Sequence, residues 1–218
     1  MKTLSMLMFS LLALVAWQTP VQAAETFHEG VDYEVLNPPG EVAVPGKLEV
    51  REFFWYGCPH CFALEGPLEA WLKTKPADVN FVRTPAPMND SWIPHAHAYY
   101  VAQALGKADQ ITPDLFNAIH VKRERLFSED ELAGFFKQYG VSEDQFHQLY
   151  NSFAVRVKVR EAAALVKAYH LRGVPALVVD GKYLVKAKSG EEPGAMFDVV
   201  NFLLDKERVA HKIATPAQ

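Results

Sequence analysis

The chain has 218 residues, with 22 Lys and Arg against 26 Asp and Glu, 50% hydrophobic residues, 22% charged residues and only two cysteines. These values are those of an ordinary globular protein with a sizeable core. They exclude a disulfide-stapled miniprotein, a low-complexity disordered chain and a strongly basic nucleic-acid binder.

Met1 to Ala23 carries one charge, Lys2, then an apolar run from Leu4 to Trp17, Pro20 and the small-residue pattern Val21-Gln22-Ala23. This reads as a secretory signal cut after Ala23, since the run is shorter than the roughly 20 residues a membrane-spanning helix needs. Loss of Lys2 leaves an exported chain one unit more negative than the −4 of the full sequence. Such a chain has no attraction for phosphate backbones or anionic lipid, so no nucleic acid is expected as a partner.

Asp32 to Leu36 is the first strand candidate, and a Pro/Gly loop follows from Asn37 to Gly46. The run Leu48 to Tyr56 has no Gly or Pro and ends in four aromatics, the pattern of a largely buried strand. Gly57 allows a sharp turn, and Pro59 suits the first position of a helix, which puts Cys58 at the helix N-terminus. That helix is predicted over Pro59 to Lys73, with Pro67 kinking it.

Cys58-Pro59-His60-Cys61 holds both cysteines. A structural disulfide stabilises more as it closes a longer loop, and this one would close a very short loop. Redox chemistry or metal binding remains. A metal needs two more ligands, and the nearby candidates are His60, His95 and His97. His60 lies between the cysteines, and His95 and His97, two residues apart near a helix start, point in divergent directions. For redox chemistry the positions divide the labour. Unpaired N–H groups at the helix N-terminus stabilise a Cys58 thiolate, which attacks, while Cys61, one turn further in, resolves the mixed disulfide. His60 adds a hydrogen bond or, when protonated, a positive charge beside the sulfur.

Val79 to Thr84 is predicted as the second strand of a β-α-β crossover. From Ser91 to His170 the periodicity is helical, with Thr112-Pro113 opening one helix and capping boxes at Ser128 to Glu131 and Ser142 to Gln145 opening two more. Phe153 to Tyr169 forms the longest of these, and Phe116, Phe135, Phe136 and Phe146 are packing residues. Strands resume at Val174 to Val179, turn at Asp180-Gly181 and return over Lys182 to Val185, before a terminal amphipathic helix from Pro193 to Ala210. Strands on both sides of a helical block make an α/β sheet domain with an all-helical insertion.

Glu52-Phe53-Phe54 before Cys58-Pro59-His60-Cys61, together with Arg172-Gly173-Val174-Pro175-Ala176 and Asp180-Gly181-Lys182-Tyr183 after it, resembles the DsbA family of periplasmic thiol:disulfide oxidoreductases. The resemblance spans essentially the whole exported chain. It implies a thioredoxin fold with an inserted all-helical domain, divided into a signal peptide over 1–23, a thioredoxin-fold part over 24–88, the insertion over 89–170 and a second thioredoxin-fold part over 171–218. It implies a periplasmic enzyme that donates its Cys58-Cys61 disulfide to reduced, unfolded exported proteins and is reoxidised by a DsbB-type membrane partner. A monomer is expected, with no cofactor beyond that disulfide and no metal. It also implies a cis Val174-Pro175 bond facing the cysteines, with Pro59, Val174 and Pro175 contacting substrate, and a buried Glu52 that moves the proton of Cys61.

Glu52 shares a strand face with Val50, Phe54 and Tyr56 by the period-2 rule. The family often places a lysine opposite this acid. Here the neighbouring strand offers Arg83, and a one-residue shift replaces it by Val82. Arginine does not deprotonate, and is expected to hold Glu52 ionised more firmly. Two alternatives stand beside an oxidase. One is an isomerase or reductase on the same fold, although nothing N-terminal of Val35 is long enough for the dimerisation module that periplasmic isomerases carry. The other is a chaperone that uses the groove around Pro175 without turnover.

Overall fold

The computed structural model describes residues 27–214, with side chains through Ala210; the secretory segment read at 1–23 lies outside the described residues. Five strands form one mixed sheet in the order β1-β5-β4-β2-β3: β1 Glu34–Val35, β2 Leu48–Phe54, β3 Val79–Pro85, β4 Ala176–Val179 and β5 Tyr183–Lys186. β2 and β3 run parallel, joined through helix α1 (Pro59–Thr74), and the other pairs are antiparallel. Between β3 and β4 the chain forms α2 (Ile93–Ala104), α3 (Ala108–His120), α4 (Glu129–Phe136), α5 (Glu143–Tyr150) and α6 (Phe153–Ala168). It ends in α7 (Ala195–Ala214).

The sheet is covered on both faces. Val50, Val79, Leu177, Val179 and Val185 pack against Leu64, Leu68 and Trp71 of α1 and Phe197, Val200 and Leu203 of α7. On the opposite face Phe53, Val178 and Leu184 meet Val166 and Tyr169 of α6 and its end. β2 is therefore buried along its whole length, as its apolar run predicts. Its charged residues on the second face are paired: Arg51 bridges Glu49 at 2.8 Å and donates to the Thr84 hydroxyl at 2.9 Å.

A third core joins the helical block to the end of the sheet. Phe54, Tyr56, Cys58 and Cys61 pack with Tyr99, Leu115, Phe116, Phe136 and Phe146. The aromatic residues that helical periodicity assigns to packing, Phe116, Phe135, Phe136 and Phe146, are all buried.

The local signals have different outcomes. Ser128 and Glu131 make the full reciprocal capping box, whereas Ser142 accepts from the Gln145 N–H at 3.1 Å to cap α5. Asp180 and Gly181 have φ of 51° and 65°, the left-handed pair a two-residue hairpin requires. Pro67 lies inside α1 and does not end it. Thr112-Pro113 does not open a helix: α3 begins at Ala108, where the Gln110 and Ile111 N–H groups already bond the Lys107 carbonyl. The Thr112 hydroxyl is buried against Tyr56 rather than used as a cap.

Candidate active site

β2 ends because the chain leaves the ladder after Phe54, whose carbonyl takes a bond from the Ala86 N–H at 2.8 Å, and folds back so that the Cys58 N–H donates to the Trp55 carbonyl at 3.0 Å. Gly57 sits in this bend without a positive φ. Its requirement is space, since a Cβ there would collide with the Trp55 indole. Trp55 in turn stacks on Trp92 at 4.3 Å and 6°. The helical block fixes the same bend from the other side. His120 Nε2 donates to the Tyr56 carbonyl at 2.7 Å while its ring stacks on Phe62, and the Tyr56 hydroxyl lies 3.0 Å from that of Thr112.

Cys58 is the N-cap residue of α1 and Pro59 begins the helix, as the sequence predicts. Both cysteines are free thiols, Cys58 7% and Cys61 0% exposed. The Cys61 thiol donates to the Cys58 sulfur, and with the N–H groups of Cys61 and His60 and the charge of His60 it overcomes burial to lower the Cys58 pKa to about 6. Burial, the hydrogen bond to Cys58 and the charges of Cys58 and Glu52 push the Cys61 thiol far up. One sulfur is thus a nucleophile at neutral pH and the other keeps its proton.

The Val174-Pro175 bond is cis, and Asn37-Pro38 is also cis. The Val174 carbonyl lies 3.4 Å from Cys58 Sγ, within reach of a thiol donor. β4 starts only at Ala176, Pro175 lacking a ladder N–H. His60, Gly173, Val174, Pro175 and residues 186–189 line a hollow of about 360 Å³ beside the cysteines. Pro59 and His60 are both exposed, and His60 is the one of the two that lines the hollow.

The register pairs Glu52 with Arg83 rather than Val82. Arg83 Nε donates to Glu52 Oε2 at 2.7 Å, and the other arm reaches Glu65 Oε1 at 2.9 Å. Glu52 is fully buried, and its Oε1 has no hydrogen-bond partner among the described residues. Arg83 favours the ionised form of Glu52, by charge and hydrogen bond, but burial is the larger influence and raises the Glu52 pKa. Glu65 is pushed up to about 7, by burial first and then by Glu52, against the pull of Arg83. The sequence reading missed Glu65. Its spacing of four from Cys61 on one helix, which places both on the same face, is the signal that finds it.

His95 and His97 do not converge on the cysteines. His95 Nε2 donates to the Leu126 carbonyl at 2.6 Å, His97 Nδ1 to that of Tyr150 at 2.9 Å, and burial lowers the His95 pKa to about 4. Among the described residues no group of three or more His, Cys, Asp or Glu is arranged to hold a metal.

A family model described as the DSBA-like thioredoxin domain matches residues 88–197. The thiol:disulfide interchange protein DsbA of Burkholderia cepacia is 40% identical over 207 residues, covering 93% of this chain and 95% of that protein. That of Pseudomonas syringae pv. tomato is 38% identical over 205 residues, covering 94% and 96%. The crystal structure of Pseudomonas aeruginosa DsbA superposes with a TM-score of 0.81 at 38% identity, over 87% of this chain and 98% of that one.

Proposed function

This chain belongs to the DsbA family of thiol:disulfide oxidoreductases, and we propose that it is the periplasmic oxidase that hands its Cys58-Cys61 disulfide to reduced, unfolded exported proteins. The observation that carries this reading is the lowered pKa of Cys58 beside the Val174 carbonyl. A substrate thiolate attacks Cys58 Sγ, the Cys58-Cys61 bond breaks, and Cys61 leaves and takes up a proton. A second substrate thiolate then attacks the substrate sulfur of the mixed disulfide and expels Cys58 as a stabilised thiolate. The substrate loses two electrons to form its disulfide and the enzyme gains them.

Glu52 is the proton carrier to Cys61, a role its raised pKa and orphaned Oε1 suit, and Glu65, on the other arm of Arg83, is raised in turn by the charge of Glu52. Pro59 and Pro175 shape the edge of the groove. The Val174 carbonyl accepts a backbone N–H of an extended substrate while Cys58 is held in a disulfide, with Cys61 or with the substrate, and has no proton to donate to it. His60 tunes Cys58. Residues 1–23 export the chain, the insertion over 89–170 lies between the two parts of the thioredoxin fold, 24–88 and 171–218, and the monomer is reoxidised by a DsbB-type membrane protein.

The test is substitution of each cysteine. Cys58→Ser is expected to abolish oxidation of a reduced dithiol peptide, while Cys61→Ser, offered the peptide in its disulfide form, attacks it through the Cys58 thiolate, expels one peptide thiolate and accumulates a mixed disulfide at Cys58. A chaperone that holds unfolded proteins in the groove would keep that holding activity in Cys58→Ser. A potential measured by glutathione equilibration within the thioredoxin range, about −270 mV, would mean a reductase.

A further inference from the structure

The acidic and basic side chains lining the hollow beside the cysteines are of one sign, the rest of its wall being Gly173, Val174, Pro175, Ala187 and Ser189. Its lining contains Lys186, Lys188 and His60 and no Asp or Glu. β5 sets this arrangement: the register pairs Lys186 with Ala176, the residue after Pro175, so the end of β5 lies against the start of β4 and Ala187 and Lys188 continue past it.

Residues 186–188 form a ridge between two hollows. On the far side they line a smaller space of about 150 Å³ with Asp32, Tyr33 and Glu34. Two carboxylates that pair with the lysines, Glu34 with Lys186 and Asp32 with Lys188 at 2.5 Å, line that far side, and Glu191 lies 3.6 Å from Lys188. These are partly exposed pairs of small net energy, so a substrate carboxylate can compete for the ammonium groups. Each ammonium has three donors, and the side chains remain 48% and 32% exposed.

We propose that Lys186 and Lys188 make the substrate groove selective for extended segments that carry carboxylates beside the reacting cysteine. The proposal rests on the reading of this groove as the substrate site. A chain lying along Val174 and Pro175 presents side chains across the gap towards β5, where acidic groups meet two held ammonium ions and basic ones meet like charge. Such groove-edge charges act through encounter and register rather than deep burial, so the preference is salt-dependent.

The experiment uses three reduced dithiol peptides, differing only in Glu, Gln or Lys flanking the cysteines, and single-turnover oxidation by the oxidised full-length enzyme at low and high salt. Flanking charge alters the peptide thiols themselves, so the quantity read is the Glu-to-Lys rate ratio of the wild type relative to that of Lys186→Gln/Lys188→Gln. That relative ratio is expected to be about fivefold at low salt, of the size that exposed ion pairs give. It should fall towards one at high salt and be retained by Lys186→Arg/Lys188→Arg, which keeps both charges. Equal ratios in the wild type and the glutamine variant, or a wild-type excess indifferent to salt, overturn the proposal. Turnover of the Gln peptide by the wild type reports separately on the groove: if that peptide is not oxidised, the underlying function fails, whereas normal turnover without charge discrimination removes only the selectivity.

Discussion

The reactivity of Cys58 comes from donors converging on one sulfur at a helix start: the Cys61 thiol first, then the N–H groups of Cys61 and His60 and the His60 charge. An N-cap residue meets unpaired N–H groups by construction, so position alone makes this site favourable to an anion. His60→Ala removes the imidazole but leaves the backbone N–H of residue 60. It is therefore expected to raise the Cys58 pKa above about 6 without returning it to the ordinary thiol value, and to make the couple less oxidising. Titration of the thiolate absorbance checks this, and an unmoved curve would make His60 a bystander. Residue patterns disclosed most of this site. Cys58, Cys61, His60 and Pro59 are contiguous, and their roles follow from a helix start that the sequence marks with Pro59. Glu65 was legible as a residue on the helix face of Cys61 but not its partner Arg83, and His120 was not legible, because a contact 64 residues away in sequence depends on how the elements pack.

At the scale of elements, the cluster of Glu52, Arg83 and Glu65 ties β2, β3 and α1 together under the cysteines. Two carboxylates share one guanidinium in a buried place, which is why burial dominates both their pKa values. Arg83→Met leaves two buried acids without a counter-charge and is expected to cost about 3–5 kcal/mol at neutral pH. The sign of its pH dependence follows: acids with raised pKa values stabilise the fold when protonated and lose that contribution as pH rises through the folded pKa. The defect should thus shrink between pH 7 and pH 5, as denaturant midpoints of variant and wild type will show; a pH-independent gap would place the cost in packing instead. Arg83 was visible in the sequence as one of two candidates. Only the pairing register of β2 with β3 chose between it and Val82, since a one-residue slip inverts every side chain of a strand.

For the whole molecule, the redox state and the stability are linked. The reduced form carries the stabilised Cys58 thiolate and the oxidised form does not, so the reduced protein is expected to unfold at higher denaturant concentration. The folded thiol pKa is lowered, so this advantage is complete above the unfolded thiol value, near ~8.5, and disappears as pH falls through about 6. Denaturant unfolding of both forms at pH 8.5 and pH 5 measures it; equal midpoints at the higher pH would remove thiolate stabilisation as the source of the oxidising power. The helical block takes part in this balance, because Phe54, Tyr56 and both cysteines belong to its core and His120 and Thr112 hold the bend between β2 and α1.

The sequence by itself determined the chemistry and the class of fold. A lone C-x-x-C after a buried strand and before a proline-started helix, with strands on either side of a helical block, leaves few alternatives, because each signal acts locally on backbone geometry. Tertiary structure decided what depends on residues far apart in the chain: that Arg83 faces Glu52, that burial outweighs the arginine, that Gly57 is required by the Trp55 ring, and that Lys186 and Lys188 stand across from Pro175. Desolvation and register are properties of the packed whole, and no short stretch of sequence carries them.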